Sequence, residues 1–217
     1  MNYFLEITSR PNYPLILDEN QNLHISSDLG ANLGLGNYIQ EHLSSPLIYR
    51  DAENSAISFD RLITYDVLNT VYGGQLVSER MRKVIEENFP DEVQFFDAIF
   101  YYKEKMCNSY SAMNIYKHIE CYDMDRSIYS ISPINKSYEF EQRVLIASPL
   151  EENGINYNIV RCSFDDEIVV SEKFRKVIKA NKLNCMSFAK ELEIDWKSHA
   201  TLTLLAKQDC PLWLQYD

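Results

Sequence analysis

The chain has 217 residues, 46% of them hydrophobic, with only seven prolines and six glycines; this is enough apolar material for a sizeable core in one domain with an extra lobe, and the wrong composition for a disordered or linker-dominated protein. Its net charge of −11 and pI near 4.9 repel nucleic acid and anionic membrane and favour basic partners. Met1-Asn2-Tyr3-Phe4-Leu5-Glu6 lacks the basic and apolar regions of a signal peptide, and no apolar run approaches the roughly 20 residues that span a bilayer, so a cytoplasmic protein that touches neither membrane nor nucleic acid is expected.

Residues 3–8 are predicted to form a short strand. The chain up to residue 64 then reads as loop-rich, with Pro11, Pro14, Gly30, Gly34, Gly36 and Pro46 spread through it. Gly34-Leu35-Gly36-Asn37 lacks the lysine of a P-loop and the third glycine of a dinucleotide fingerprint, so no cofactor is expected there. The same stretch is acidic. Residues 1–60 hold Glu6, Asp18, Glu19, Asp28, Glu41, Asp51, Glu53 and Asp60 against Arg10 and Arg50, and no lysine precedes Lys83.

An internal repeat follows. Residues 77–88 (VSERMRKVIEEN) align with residues 170–181 (VSEKFRKVIKAN), identical at eight of twelve positions. Each copy reads as a strand turning into a helix. The serine is a good N-cap, because its oxygen accepts a bond from an orphan amide of the first turn. The glutamate after it suits the positive end of the helix dipole. Met81, Val84 and Ile85 form one buried stripe, and Phe174, Val177 and Ile178 another. The asparagine closing each copy tolerates the left-handed conformation past a helix end.

Strands are predicted between the copies. Residues 92–100 are rich in β-formers; residues 113–121, 141–147 and 157–164 alternate apolar and polar side chains, the pattern of a sheet with one buried face. Residues 191–217 form an extension whose Pro211-Leu212-Trp213-Leu214 is apolar enough to dock on the body. Strands clustered between helices imply an α+β fold. The sheet is expected to be mostly antiparallel or mixed, with two equivalent capped helices from the repeat (copies 76–88 and 169–181) and a loop-rich N-terminal region.

Chemistry is harder to find. Cys107, Cys121, Cys162, Cys185 and Cys210 are odd in number and contain no C-x-x-C pair, which fits small buried hydrophobes in a reducing compartment. His24, His42 and His199 show no metal spacing, and His118 and Cys121 point to opposite faces of a predicted strand. Asp123 and Asp125 form an Asp-x-Asp after a strand, as a magnesium-dependent phosphohydrolase requires. The strand before them carries Lys117, His118 and Glu120, too polar for a catalytic strand buried on both faces. A turn in which these aspartates and Ser127 bond nearby amides is the simpler reading. No catalytic, cofactor-binding or metal residue is therefore assigned.

The ordered motifs resemble a family of bacterial polymorphic-toxin immunity proteins, the eleventh of the numbered immunity families and once a domain of unknown function. The resemblance rests on Leu76-Val77-Ser78-Glu79, then Tyr110 and Asn114, then Tyr122-Asp123 with Ser127, then Ile168-Val169-Val170-Ser171-Glu172 and Phe188. It covers about residues 65–190. Cys185-Met186-Ser187 stand where family members often have a glycine before the final phenylalanine. The resemblance implies a non-catalytic inhibitor that binds a cognate toxin and masks its active site, with the shared motif residues as scaffold. A phosphohydrolase using Asp123 and Asp125, or a structural or regulatory interaction module, are the alternatives. The division expected is residues 1–64 as an acidic loop-rich region, 65–190 as the immunity-family domain, and 191–217 as the extension. Loops on a rigid scaffold commonly carry binding, so the acidic region is the expected toxin interface. Asp18, Glu19, Asp28, Glu41, Asp51 and Glu53 would steer a basic toxin such as a nuclease, and Tyr13, Tyr38 and Tyr49 would anchor it.

Overall fold

A computed structural model describes residues 1–7, 16–18, 29–40, 42–51, 57–71, 74–194 and 202–204. In chain order these form β1 (Asn2–Ile7), β2 (Ile16–Asp18), α1 (Leu29–Gly34), β3 (Leu47–Asp51), α2 (Phe59–Leu62), β4 (Val67–Leu68), β5 (Gln75–Ser78) and α3 (Glu79–Asn88). Then come β6 (Gln94–Tyr102), β7 (Lys105–Asn114), β8 (His118–Ile119), β9 (Ile128–Ile131), β10 (Tyr138–Val144), β11 (Leu150–Glu152) and β12 (Ile155–Tyr157). The last elements are β13 (Ile159–Cys162), β14 (Ile168–Ser171), α4 (Glu172–Ala180), β15 (Met186–Ala189), β16 (Glu191–Ile194) and β17 (Leu202–Leu204). The fold is α+β and dominated by antiparallel and mixed sheets. The chain divides into two units: Met1–Glu6, His118–Lys176 and the described part of Met186–Asp217 form one, and Ile7–Lys117 with Val177–Cys185 the other.

The second unit is a six-stranded sheet in the order β2-β3-β6-β7-β5-β4. Only β3 and β6 run parallel; the other neighbours are antiparallel. Period-two alternation decides which side chains go inside. Leu47, Tyr49 and Asp51 of β3 and Ala98, Phe100 and Tyr102 of β6 are buried, while Arg50 between them is exposed. Helix α3 buries Met81, Val84 and Ile85 against the sheet. Gly74 sets the entry to β5 at φ +81°, and a Cβ there would stand 2.7 Å from the Met113 carbonyl oxygen, so the chain passes too close to β7 for any side chain.

The first unit is built on the sheet β15-β1-β14-β13-β8, with β17-β16-β10-β9 as a second sheet and β11-β12 as a hairpin. Its core gathers Phe4, Ile119, Cys121, Tyr122, Phe140, Val160, Cys162 and Val169. The four described cysteines, Cys107, Cys121, Cys162 and Cys185, are free and buried; Cys210 lies outside the described residues.

Several expectations are corrected. The strand expected at residues 3–8 is β1 (Asn2–Ile7), inside one sheet, and the loop-rich stretch expected after it also supplies β3 to the interior of the other. The alternation over residues 113–121 predicts one strand, but β7 ends at Asn114 and β8 is only His118–Ile119. Residues 191–194 and 202–204 pair as β16 and β17, while 195–201 and 205–217, with the apolar Pro211-Leu212-Trp213-Leu214, lie outside the described residues. Asn88 and Asn181 are not left-handed. Each instead donates its side-chain amide to the carbonyl four residues back, Val84 at 2.8 Å and Val177 at 2.9 Å, and Lys182 takes the positive φ (52°) after α4.

Glu167, just before β14, is withdrawn from water near Asp165 and Glu6. Desolvation, and then these like charges, push its carboxyl up from the usual 4.5 to about 7 against the pull of Arg143. The folded value lies above the unfolded one, so folding takes up a proton between them. Stability is retained below about pH 4.5 and lost as the pH rises through 7. Glu167→Gln should therefore stabilise the protein by about 2–3 kcal/mol at pH 8 and hardly at all at pH 4. Thermal unfolding at both values checks this; an equal shift at both would show that the charge of Glu167 is not the cause.

Candidate functional site

The two repeated corners are built alike. Ser78 Oγ accepts the Met81 amide at 3.1 Å, and Ser171 Oγ accepts the Phe174 amide at 3.2 Å, so both serines are N-caps. Each hydroxyl also donates, Ser78 to Asp66 Oδ1 and Ser171 to Asn158 Oδ1, both at 2.8 Å. Each serine amide reaches the backbone carbonyl of the same partner at 2.9 Å. Asp66 and Asn158 immediately precede β4 and β13, the strands that pair with β5 and β14. Sequence spacing alone did not reveal these partners, because a hairpin separates them from their serines.

Asp66 is only 2% exposed. Its carboxylate also receives Arg80 Nε at 3.1 Å, Arg80 Nη2 on the other oxygen, and the Asn184 amide at 2.8 Å. Its own amide donates to Asn184 Oδ1 at 2.7 Å. Asn158 stands at the equivalent point of a corner that has Lys173 in place of Arg80.

The other motif residues bond to backbone and side chains around them. Tyr110 directs its hydroxyl at the carbonyls of Tyr65 (2.7 Å) and Leu62 (3.1 Å), and burial raises its pKa far above the usual value. Asn114, fully buried, donates to Asn37 O at 2.8 Å and Gln94 Oε1 at 3.1 Å. The Asp123 carbonyl accepts the Ser127 amide at 2.9 Å, and Ser127 Oγ accepts the Val144 amide at 3.1 Å. The Asp123 carboxylate faces Arg126 at 3.9 Å. Glu172 pairs with Arg175 at 3.2 Å, whose guanidinium lies over the Tyr3 ring at 4.9 Å; Tyr3 meets Phe188 edge-on. Glu79 borders the groove described below.

Asp123 and Asp125, the pair of the phosphohydrolase alternative, come after β8. β8 is two residues long and lies at the edge of its sheet, and the aspartates follow it in a backbone-bonded turn. Among the described residues no group of three or more His, Cys, Asp or Glu is placed to hold a metal ion.

The interface candidates fare unevenly. Tyr49 is fully buried and Asp51 is 8% exposed, because β3 alternation turns both inward. Tyr38 is exposed, its ring edge-on to Tyr116 at 4.8 Å. The backbone of Asp18 belongs to β2, but its side chain, with Tyr13, Glu19, Asp28, Glu41 and Glu53, lies outside the described residues.

Two surfaces were not signalled by any motif. One is an open groove of about 740 Å³ lined by Pro46, Glu79, Arg82, Asp97, Ser109 and Ser111, with a depression of about 580 Å³ that shares Arg82. Arg82 bonds Glu86 at 2.9 Å, Ser111 at 3.0 Å and Asp97 at 3.3 Å and lies over Phe95. The groove is open, about equally polar and apolar, and of mixed charge, unlike an enclosed small-molecule pocket. The other is β9, with all four residues exposed. Its short Ile-Tyr-Ser-Ile run was the available signal.

If the corners are scaffold, Ser78→Ala and Ser171→Ala should each destabilise by about 1–2 kcal/mol. Asp66→Ala should cost about 3 kcal/mol, because it strands the donors of Ser78, Arg80 and Asn184. Chemical denaturation measures these losses; partner binding lost at unchanged stability would instead make the serines contact residues.

The model of the Immunity protein family (Imm11) matches residues 14–192. The match begins well before the motif-bearing part, so most of the acidic N-terminal stretch lies within it. No curated protein matches the sequence.

Proposed function

Because this chain belongs to the Imm11 immunity protein family, we propose that it binds a cognate bacterial toxin and neutralises it by covering the toxin's active site. The family match carries this reading. The protein acts in the cytoplasm, without catalysis or cofactor, as one half of a polymorphic toxin system used in bacterial competition. The motif residues hold up the fold: Ser78, Ser171, Tyr110, Asn114 and Ser127 spend their polar groups on backbone or on Asp66, Asn158 and Gln94. The toxin is left with surfaces outside the motifs. The two corners with their hairpins are copies of one module, supported by their shared sequence and matching bonds.

The toxin is basic. A chain of net charge −11 draws such a partner in, and a nuclease cleft that binds phosphate accepts carboxylates equally well. Co-expression with the product of the adjacent reading frame should relieve that product's toxicity and allow both chains to be purified together. Undiminished toxicity at equal expression would sink the proposal. Reversing Asp18, Glu19, Asp28, Glu41 and Glu53 together should slow association at least about tenfold at low salt and much less at high salt. An unchanged, salt-insensitive rate would reduce the acidic stretch to a solvated face.

A further inference from the structure

Among the described residues, strand β9 is the last strand of the sheet β17-β16-β10-β9, paired on one side by β10. Edge strands present unpaired backbone groups, and folded proteins usually blunt them with charge, above all lysine. This edge has no such guard. Residues 127–135 (SIYSISPIN) contain no charged side chain. Ile128 is 52% exposed, Ile131 54% and Ile134 93%. The strand is nevertheless well supported from behind. Tyr129 meets Tyr138 edge-on at 5.4 Å and lies 5.6 Å from Phe140, and Phe140 packs on the buried Tyr122 at 4.9 Å. A ladder of rings thus runs from the core to the edge.

We propose that β9 is a docking edge, on which the toxin adds one of its own extended strands to this sheet by β-augmentation. Backbone hydrogen bonds would supply affinity, and Tyr129 and Ile131 would meet the incoming side chains on one face. Charge selects the occupant. Within residues 123–142, which contain β9 and most of β10, Asp123, Asp125, Glu139 and Glu141 outnumber Arg126 and Lys136, and Arg126 is already turned to Asp123. Glu139 and Glu141 are exposed on β10. A basic strand is drawn to this rim, whereas a second copy of this chain brings the same acidic rim and another −11 of charge. The inference rests on the toxin-binding reading and deepens it.

The test uses the full chain and the product of the adjacent reading frame. The double variant Ile128→Lys with Ile131→Lys guards the edge at exposed positions. Ile155→Lys, at another exposed isoleucine on β12 (57%), is the control. The double variant should lose affinity at least about tenfold while the control stays within about twofold of wild type. In the wild-type complex, amides of residues 128–131 should exchange more slowly than in the free chain. Wild-type affinity in the double variant, or unchanged exchange at 128–131 in a complex that forms, overturns the docking edge and leaves toxin binding standing. A wild-type chain that neither binds nor protects overturns both. A wild-type dimer in sedimentation that the double variant dissolves assigns the edge to a second copy and overturns the proposal.

Discussion

A buried carboxylate holds one end of the six-stranded sheet in place. Asp66 is out of water, and an ionised group there is tolerated only when its oxygens are filled by donors. Ser78, Arg80 and the Asn184 amide fill them, and in doing so they fix three separate pieces of chain. The β4–β5 hairpin is closed by the Ser78 amide on the Asp66 carbonyl. The first turn of α3 is set by the same serine, which accepts from Met81 while donating to the carboxylate. Residue 184, far along the sequence, is pinned twice, through its amide and its side chain. In the other unit Asn158 closes the equivalent corner with a neutral acceptor. The difference follows the helix: a planar guanidinium at Arg80 takes both oxygens of a carboxylate, a geometry that lysine at position 173 cannot reproduce.

These bonds commit the motif side chains to the fold. A serine that caps, donates and anchors a hairpin has spent its only hydroxyl proton and one of its two lone pairs, and Asn114 and Tyr110 are buried. Tyr38 and β9 are exposed and lie outside the motif residues, whereas the Arg82 groove includes one of them, Glu79.

Local features were legible in the sequence and long-range ones were not. The serine caps and the stripe Met81-Val84-Ile85 follow from residues within one or two helical turns and stand as read; of the expected stripe Phe174-Val177-Ile178, Phe174 and Ile178 are buried and Val177 is only half-buried. Asp66 and Asn158 were invisible because their partners lie across a hairpin. In Leu47-Ile48-Tyr49 the apolar run hides its period, and only pairing with β6 shows that Tyr49 faces inward. The break between β7 and β8 falls inside an alternation that continues through it, so no residue type marks it. The edge position of β9 is a property of sheet order, which four residues do not encode.

The acidity of the chain and its unguarded edge belong together. An apolar edge strand on a neutral protein invites pairing with its own kind, and lysine is the usual remedy. A lysine on β9 would also repel a basic partner and disturb the apolar contacts that such a strand needs. Net charge supplies the protection differently. Two copies at −11 repel at separations near the Debye length of about 8 Å at physiological salt, before their edges can align, while a basic chain feels attraction over the same distance. The discrimination is thus made by the field of the whole protein, and the edge itself stays free of charge for the backbone pairing it is proposed to make.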